Sequence, residues 1–513
     1  MKAVKVKKIL AAVLAVALCT LIILPIALGY SPRDKVLKIY NVDEYIDPEL
    51  LSDFEQYYEA VTGESIKVEY MTFPTNESML NKIAGKKSDY DIVVPSDYMV
   101  EKMIRLDLLQ PLYTTEQLSS LIKDEDAYAA WIEEYYGQWR DRMGYDIYFD
   151  DEMSYTDYRK SVSDGGCVAD MFKDSSEDAY FTFDKDGVYS APYMWGTLGI
   201  VYNFTTLKER GYTGDKLQSL LDAGWSVLWD DAFKGRIDMK DSIRDTYAAG
   251  ALYTYNSNPG KYGELNVGDI LNNGNEDFVA DVGNMLKRQK EILHEYETDT
   301  GKQSIIDGRT DFLLQWSGDA MYSIALAQES GVELGYNLPN EGSNLWLDCM
   351  CIPKYAKNVD AANLFINFMC MSSSSISNME YIGYTSANAT PYIIDYWMEY
   401  GIVAGEEDAE DCEIMDLSYF FGDIGAQLPV YTDDYTSFLC EYEEDDDGNI
   451  VYSDGTAVYY DPKTDIGGYT VADSFRAQYP TLEQVKRCAV MRDYDDDTYE
   501  LLIAMWTSIK GAW

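Results

Sequence analysis

A single histidine, His294, serves the whole 513-residue chain, and it sits in no recognisable catalytic constellation. No Gly-x-Ser-x-Gly elbow occurs, so serine-type acyl transfer lacks both nucleophile and base in their usual settings. A G-x-x-x-x-G-K-[ST] loop is missing too, which removes phosphate-cradling nucleotide hydrolysis. Eight cysteines are present, but none forms a C-x-x-C pair, and with so little histidine a zinc or other transition-metal site finds no ligand set. Cys349 and Cys351 alternate along an apparent strand and share a face, a poor geometry for a mutual disulfide. Bases are also scarce: 41 Lys and Arg stand against 89 acids, a formal net charge of -48. Such a surface has no positive field to neutralise phosphates, which excludes nucleic acid as a partner. It does attract cationic ligands over long range. Carboxylates are so abundant that any glycosidase-type acid/base pair would be unspecific.

The composition is otherwise globular, with 47% hydrophobic and 25% charged residues. Its length exceeds one ordinary core and calls for two lobes or more. Lys2, Lys5, Lys7 and Lys8 precede an apolar run from Ile9 to Leu28, about 20 residues and long enough to span a bilayer. The basic flank stays inside, so the remainder faces outward. Ala27-x-Gly29 offers a small-residue cleavage site, and residues 1–30 are read as either a removable signal peptide or a membrane anchor. Cys19 follows Leu18 rather than the small residue of a lipobox, which argues against lipidation.

Beyond this segment, strand–helix alternation dominates the chain. Val36 to Tyr40 reads as a strand, Ser65 to Met71 as a second and Tyr90 to Val94 as a third, with helices between them. Polar and aromatic residues lie just past these strands: Glu44 and Tyr45 after the first, then Ser96, Asp97 and Tyr98 after the third. In open α/β sheets ligands bind outside the carboxyl ends of strands, which places these five residues around one crevice. A helical insertion (Glu116 to Arg142) and a loop come next. A strand then runs through Trp195 in the segment Tyr189 to Asn203, and further units contain a strand at Gly235 to Met239 and a long helix from Glu276 to His294. Acid-rich residues 405–475 carry the turn signals Asp447-Gly448 and Asp454-Gly455 and read as a β-hairpin insertion. Within it, Glu443-x-Asp445-x-Asp447-Gly448 departs from a calcium loop at its first and last ligand positions and reads as an acidic turn. The last helix spans Asp497 to Ile509.

Four further residues repeat the strand-end chemistry. Trp346 and Asp348 stand two apart on a strand and so share a face. Trp316 precedes Ser317-Gly318-Asp319 at a strand-to-helix junction, and Tyr384 sits in a Gly-Tyr-Thr-Ser loop. Together they describe an aromatic box with acids in it. Ring faces attract ammonium groups by about 0.5–2 kcal/mol each, and carboxylates add charge-assisted hydrogen bonds of about 1.5–3 kcal/mol. Several such contacts offset association entropy and leave binding of roughly micromolar strength.

Seven segments, IYNVDEYI, YDIVVPSDYMVEKM, YSAPYMWGTLGIVYN, DSIRD, LLQWSGDAM, LWLDCMCIP and IGYTSAN, occur in this order and cover most of residues 37–400. In them the chain resembles the spermidine/putrescine-binding proteins of polyamine ABC transporters. The resemblance implies an α/β, two-lobed type 2 periplasmic-binding-protein fold with an interlobe cleft. Lobe 1 would comprise 31–201 and 347–392, with an insertion at about 115–185. Lobe 2 would comprise 202–346 and 393–513, with the acidic insertion at about 405–475. Carried over residue by residue, the family's first-strand aromatic pair falls on Val42 and Tyr45, of which only the tyrosine is kept. Its serine and tyrosine after the third strand fall on Ser96 and Tyr98. Its acidic pair falls on Ser242 and Asp245, with Asp241 beside the serine as a substitute. Its tryptophans, central aspartate and loop tyrosine fall on Trp316, Trp346, Asp348 and Tyr384. The implied role is non-enzymatic and needs no cofactor: an extracytoplasmic protein closes on a polyamine and delivers it to a membrane permease driven by a separate ATPase. Another cationic amine is the alternative ligand, and a surface glycosidase the alternative from a different class.

Overall fold

The computed structural model describes residues 33–85, 88–149, 183–184, 187–298, 300–328, 330–405, 409, 412–432, 442–444, 450–452 and 470–511. The signal or anchor segment, the far end of the first insertion, most of the calcium-like loop and the turn at Asp454-Gly455 lie outside these residues. No helix among the described residues is long and apolar enough to cross a membrane.

The strands of the main sheet, in chain order, are β1 (Val36–Asn41), β2 (Lys67–Thr72), β3 (Ile92–Val93), β4 (Leu109–Gln110), β5 (Ser190–Asn203), β6 (Ile237–Lys240), β7 (Glu295–Glu297), β8 (Phe312–Trp316), β9 (Leu334–Asn337), β10 (Ser343–Pro353) and β11 (Thr385–Ser386). Their spatial order is β2-β1-β3-β10-β5-β8-β6-β7. Two parallel halves, β2-β1-β3 and β8-β6-β7, flank the antiparallel pair β10 and β5. The crossing strand β5 is 14 residues long and buried throughout. Its N-terminal half pairs with β10 and β11, and its C-terminal half with β8 and β9. β1 reads VLKIYN with almost every residue buried, the pattern of a parallel strand covered on both faces.

Helices are fixed by their ends. Helix α1 (Pro48–Thr62) starts with Asp47 accepting from the Glu49 amide and with proline at its first position, and it stops at Gly63, whose φ of 70° is left-handed. Helix α2 (Asn76–Ile83) opens on a capping box built by Thr75 and Ser78. Helix α3 (Asp97–Arg105) begins directly after β3, which puts its first turn at the strand's carboxyl end.

Two expected helices differ. The insertion expected at Glu116 to Arg142 is a short helix, Thr115–Ser119, followed by α4 (Glu125–Met143), because Asp124 caps a fresh start by accepting from the Ala127 amide. The helix expected to reach His294 is α6 (Glu276–Lys290), preceded by α5 (Ile243–Ser257). The His294 amide donates to the Ile237 carbonyl, so pairing with β6 claims the residues that periodicity assigned to the helix. Helix α7 (Gly301–Ile306) and helix α8 (Ser317–Gln328) follow β7 and β8. In the acidic insertion, β12 (Cys412–Met415) pairs antiparallel with β13 (Leu428–Tyr431), and β14 (Tyr442–Glu444) with β15 (Ile450–Tyr452), the last two flanking Asp447-Gly448. Strand β16 (Cys488–Ala489) joins β10, and helix α9 (Asp496–Lys510) closes the chain.

Candidate ligand-binding cleft

Asp348 is the meeting point of the first half. It lies on β10 at an irregularity in the pairing with β5, between Asp348 and Cys349, and bridges to Ser96 at the end of β3. The Tyr45 hydroxyl donates to its Oδ2 at 2.8 Å, and the Ser96 hydroxyl also bonds the carboxylate. Asn76 in turn donates to Ser96 Oγ at 3.0 Å. Burial, with a smaller contribution from the nearby Asp245 charge, raises the Asp348 carboxyl to about 6 against the pull of these two hydroxyls.

Around this carboxylate stands a ring of aromatic side chains. Tyr45 meets Tyr193 and Tyr384 edge-on at centroid distances of 5.5 and 5.0 Å, and Tyr384 meets Trp346 at 5.8 Å. The Tyr193 hydroxyl holds Tyr45 by donating to its carbonyl at 2.6 Å. Two glycines make room. A Cβ on Gly196 would lie 2.7 Å from a Trp346 ring carbon, and a Cβ on Gly318 would overlap the Tyr384 ring.

Second-half residues come from the ends of β6 and β8. Ser242 caps α5 by accepting from the Asp245 amide. Trp316, last in β8, donates its indole N–H to Asp245 Oδ1 at 3.2 Å. Lys240, last in β6, places Nζ 4.4 Å from the centre of the Trp316 ring and 3.1 Å from Glu297 Oε1. Asp319, in the first turn of α8, lies 3.9 Å from Lys240 and 3.7 Å from Lys302.

Other sequence-derived candidates are placed differently. Glu44, at a left-handed φ of 51°, is exposed at the rim and 3.4 Å from Lys302. Asp241 pairs with Lys510 at 2.8 Å. Asp97 is buried and accepts from the Leu347 and Tyr98 amides, tying α3 to β10, and desolvation pushes its carboxyl up to about 8. Tyr98 donates to Glu77 at 3.2 Å, with the Arg244 guanidinium 3.6 Å from its ring centre. Trp195 follows the alternation of β5 away from Gly196 and the Trp346 side; it is wholly buried against Phe420 and Tyr479. Val42 is partly exposed, and its carbonyl accepts from Tyr70. Tyr45, Ser96, Trp346, Asp348 and Tyr384 therefore form one cluster, Asp245 and Trp316 a second beside it, and Trp195 belongs to the core.

Sequence reasoning missed Lys240, Arg244, Asp319 and Tyr193. Asp319 carried a signal, since it follows Trp316 by three residues at a strand-to-helix junction. Away from the cleft, His294 Nδ1 lies 2.9 Å from Asp238 Oδ1, and with Glu295 these are the one group among the described residues with metal-compatible spacing. Of Asp493, Asp495 and Asp497, spaced like a calcium loop, Asp493 pairs with Arg105 at 2.7 Å and Asp495 caps α9.

The family of bacterial extracellular solute-binding proteins matches residues 50–392. The spermidine/putrescine-binding periplasmic protein of Escherichia coli (strain K12) is 24% identical over 416 residues, covering 80% of this chain and 94% of its own. A putrescine-binding periplasmic protein of the same organism is 23% identical over 377 residues, covering 71% and 81%. The solved structure of a spermidine/putrescine ABC transporter substrate-binding protein from Streptococcus pneumoniae shares the fold, with a TM-score of 0.51 at 24% identity, over 93% of this chain and 99% of that one.

Proposed function

This chain belongs to the bacterial extracellular solute-binding proteins, and from that membership we propose that its cleft captures a polyamine for an ABC importer. The family is one of binding proteins rather than enzymes, which removes the glycosidase alternative, and it places the chain outside the cytoplasm. One observation carries the choice of ligand. Asp348 is a half-buried carboxylate ringed by Tyr45, Trp346 and Tyr384 and held by two hydroxyls. A desolvated negative charge among ring faces is an ammonium site. Trp316 and Asp245 repeat the pairing of indole and carboxylate beside it.

A flexible polyamine would lie with its methylenes against the rings and its amines on the two carboxylates. Contacts made from both halves of the sheet then favour closure over the ligand, and the closed form docks on a permease served by a separate ATPase. Residues 1–30 hold the protein at the membrane or direct its export. Calorimetry with putrescine, spermidine, spermine, arginine and an oligosaccharide tests the reading. Saturable heat with the polyamines at roughly micromolar Kd supports it; heat only with arginine or the sugar sinks it.

A further inference from the structure

Carboxylates at the cleft fall into two groups according to what neutralises them. Glu297 and Asp319 lie 3.1 and 3.9 Å from Lys240 Nζ. Asp319 and Glu44 lie 3.7 and 3.4 Å from Lys302 Nζ, and Asp241 lies 2.8 Å from Lys510 Nζ. Glu77 has no ion-paired lysine or arginine among the described residues; it accepts from the Tyr98 hydroxyl, and the Arg244 guanidinium lies against that same ring. Asp245 and Asp348 differ from the lysine-paired acids, and among the described residues no guanidinium lies on the rings beside them. Among the described residues neither has a lysine or arginine within ion-pair distance, and their side-chain donors are neutral: the Trp316 indole, the Tyr45 hydroxyl and the Ser96 hydroxyl.

Charge matching then limits the ligand. We infer that the cleft is built for a short α,ω-diamine, with Lys240, Lys302 and Arg244 as tethered cations that leave no open carboxylate for a third ligand ammonium. The inference rests on the polyamine reading above and narrows it. Asp245 and Asp348 match two ammonium groups, and a further ammonium at Glu77 would meet the guanidinium lying against Tyr98. A third ammonium reaching past Trp316 meets Lys240, which already covers that ring at 4.4 Å and is itself almost fully buried. It would be repelled by a fixed like charge, or it would have to displace a lysine and leave that charge desolvated and unpaired. Lys302 blocks the rim in the same way, holding Asp319 and Glu44 together.

Calorimetry on the full chain with putrescine, cadaverine and spermidine tests this. The expected result is a putrescine or cadaverine Kd at least tenfold below that of spermidine. Lys302→Gln, a substitution at a partly exposed side chain, releases Asp319 and Glu44 from one counterion and should narrow the spermidine-to-putrescine Kd ratio at least threefold. Spermidine bound as tightly as putrescine by the unaltered chain overturns the inference while the polyamine reading stands. An unchanged ratio in Lys302→Gln overturns the counterion role. If no amine binds, both fall together.

Discussion

Withdrawal of water from Asp348 raises its carboxyl to about 6, from an ordinary value of 3.8. The folded protein therefore holds this proton more tightly than the unfolded chain does. Its contribution to stability is fully present below pH 3.8 and is lost as pH rises through about 6. An ammonium ligand needs the ionised form, so affinity runs the opposite way. Putrescine should bind about tenfold more weakly at pH 5 than at pH 7, a difference readable by calorimetry at the two pH values. Asp348→Asn removes the charge but keeps the shape, and should weaken amine binding at least tenfold at pH 7. An unchanged affinity would remove Asp348 from the site. Residues of this kind were legible in the sequence because Trp346-x-Asp348 on a strand fixes a shared face. Lys240 was not. Its place over Trp316 depends on β6 and β8 lying side by side in the sheet, which no local spacing reports, and a lysine at a strand end reads as solvated surface.

Among the elements, the strand-to-helix junctions decide the cleft's shape. Helix α8 starts immediately after Trp316, and Gly318 in its first turn leaves the room that the Tyr384 ring fills. Gly318→Ala should force that ring aside and cost about 1–3 kcal/mol, measured as a lowered midpoint in urea unfolding together with weaker amine binding. Stability lost with binding intact would show that Tyr384 is not needed in its observed place. The presence of α1 between the first two strands was readable from sequence, and its ends are set locally, since the Asp47–Pro48 start and the Gly63 stop each act within one turn. The end of α6 was not readable, since residues after Lys290 keep helical spacing but are taken by an edge strand on β6. Trp195 failed for a related reason. Its strand was identified, but both faces of β5 are buried, so alternation alone could not say which face looks into the cleft.

For the molecule as a whole, the charge of -48 bears on how fast ligand arrives more than on how tightly it stays. A cationic diamine is drawn in by the summed field, and that field is screened over about 8 Å at physiological ionic strength. Raising salt from about 20 to about 500 mM should therefore slow association severalfold in stopped-flow fluorescence, with the dissociation rate far less affected. Equal slowing and quickening of the two rates would place the effect in Asp245 and Asp348 instead. The mixed α/β character followed from the repeated strand–helix units. The seam between the two parallel halves did not, because it is shared: β10 pairs with β3, β5 pairs with β8 and β9, and β5 and β10 pair with each other.

That sharing has a mechanical corollary. A cut made to liberate either half would strip its sheet of a central member and expose a long raw margin of unpaired amides and carbonyls. Neither piece would be a free-standing folding unit. Heating should accordingly melt the sheet in one cooperative step, the halves surrendering together rather than in sequence.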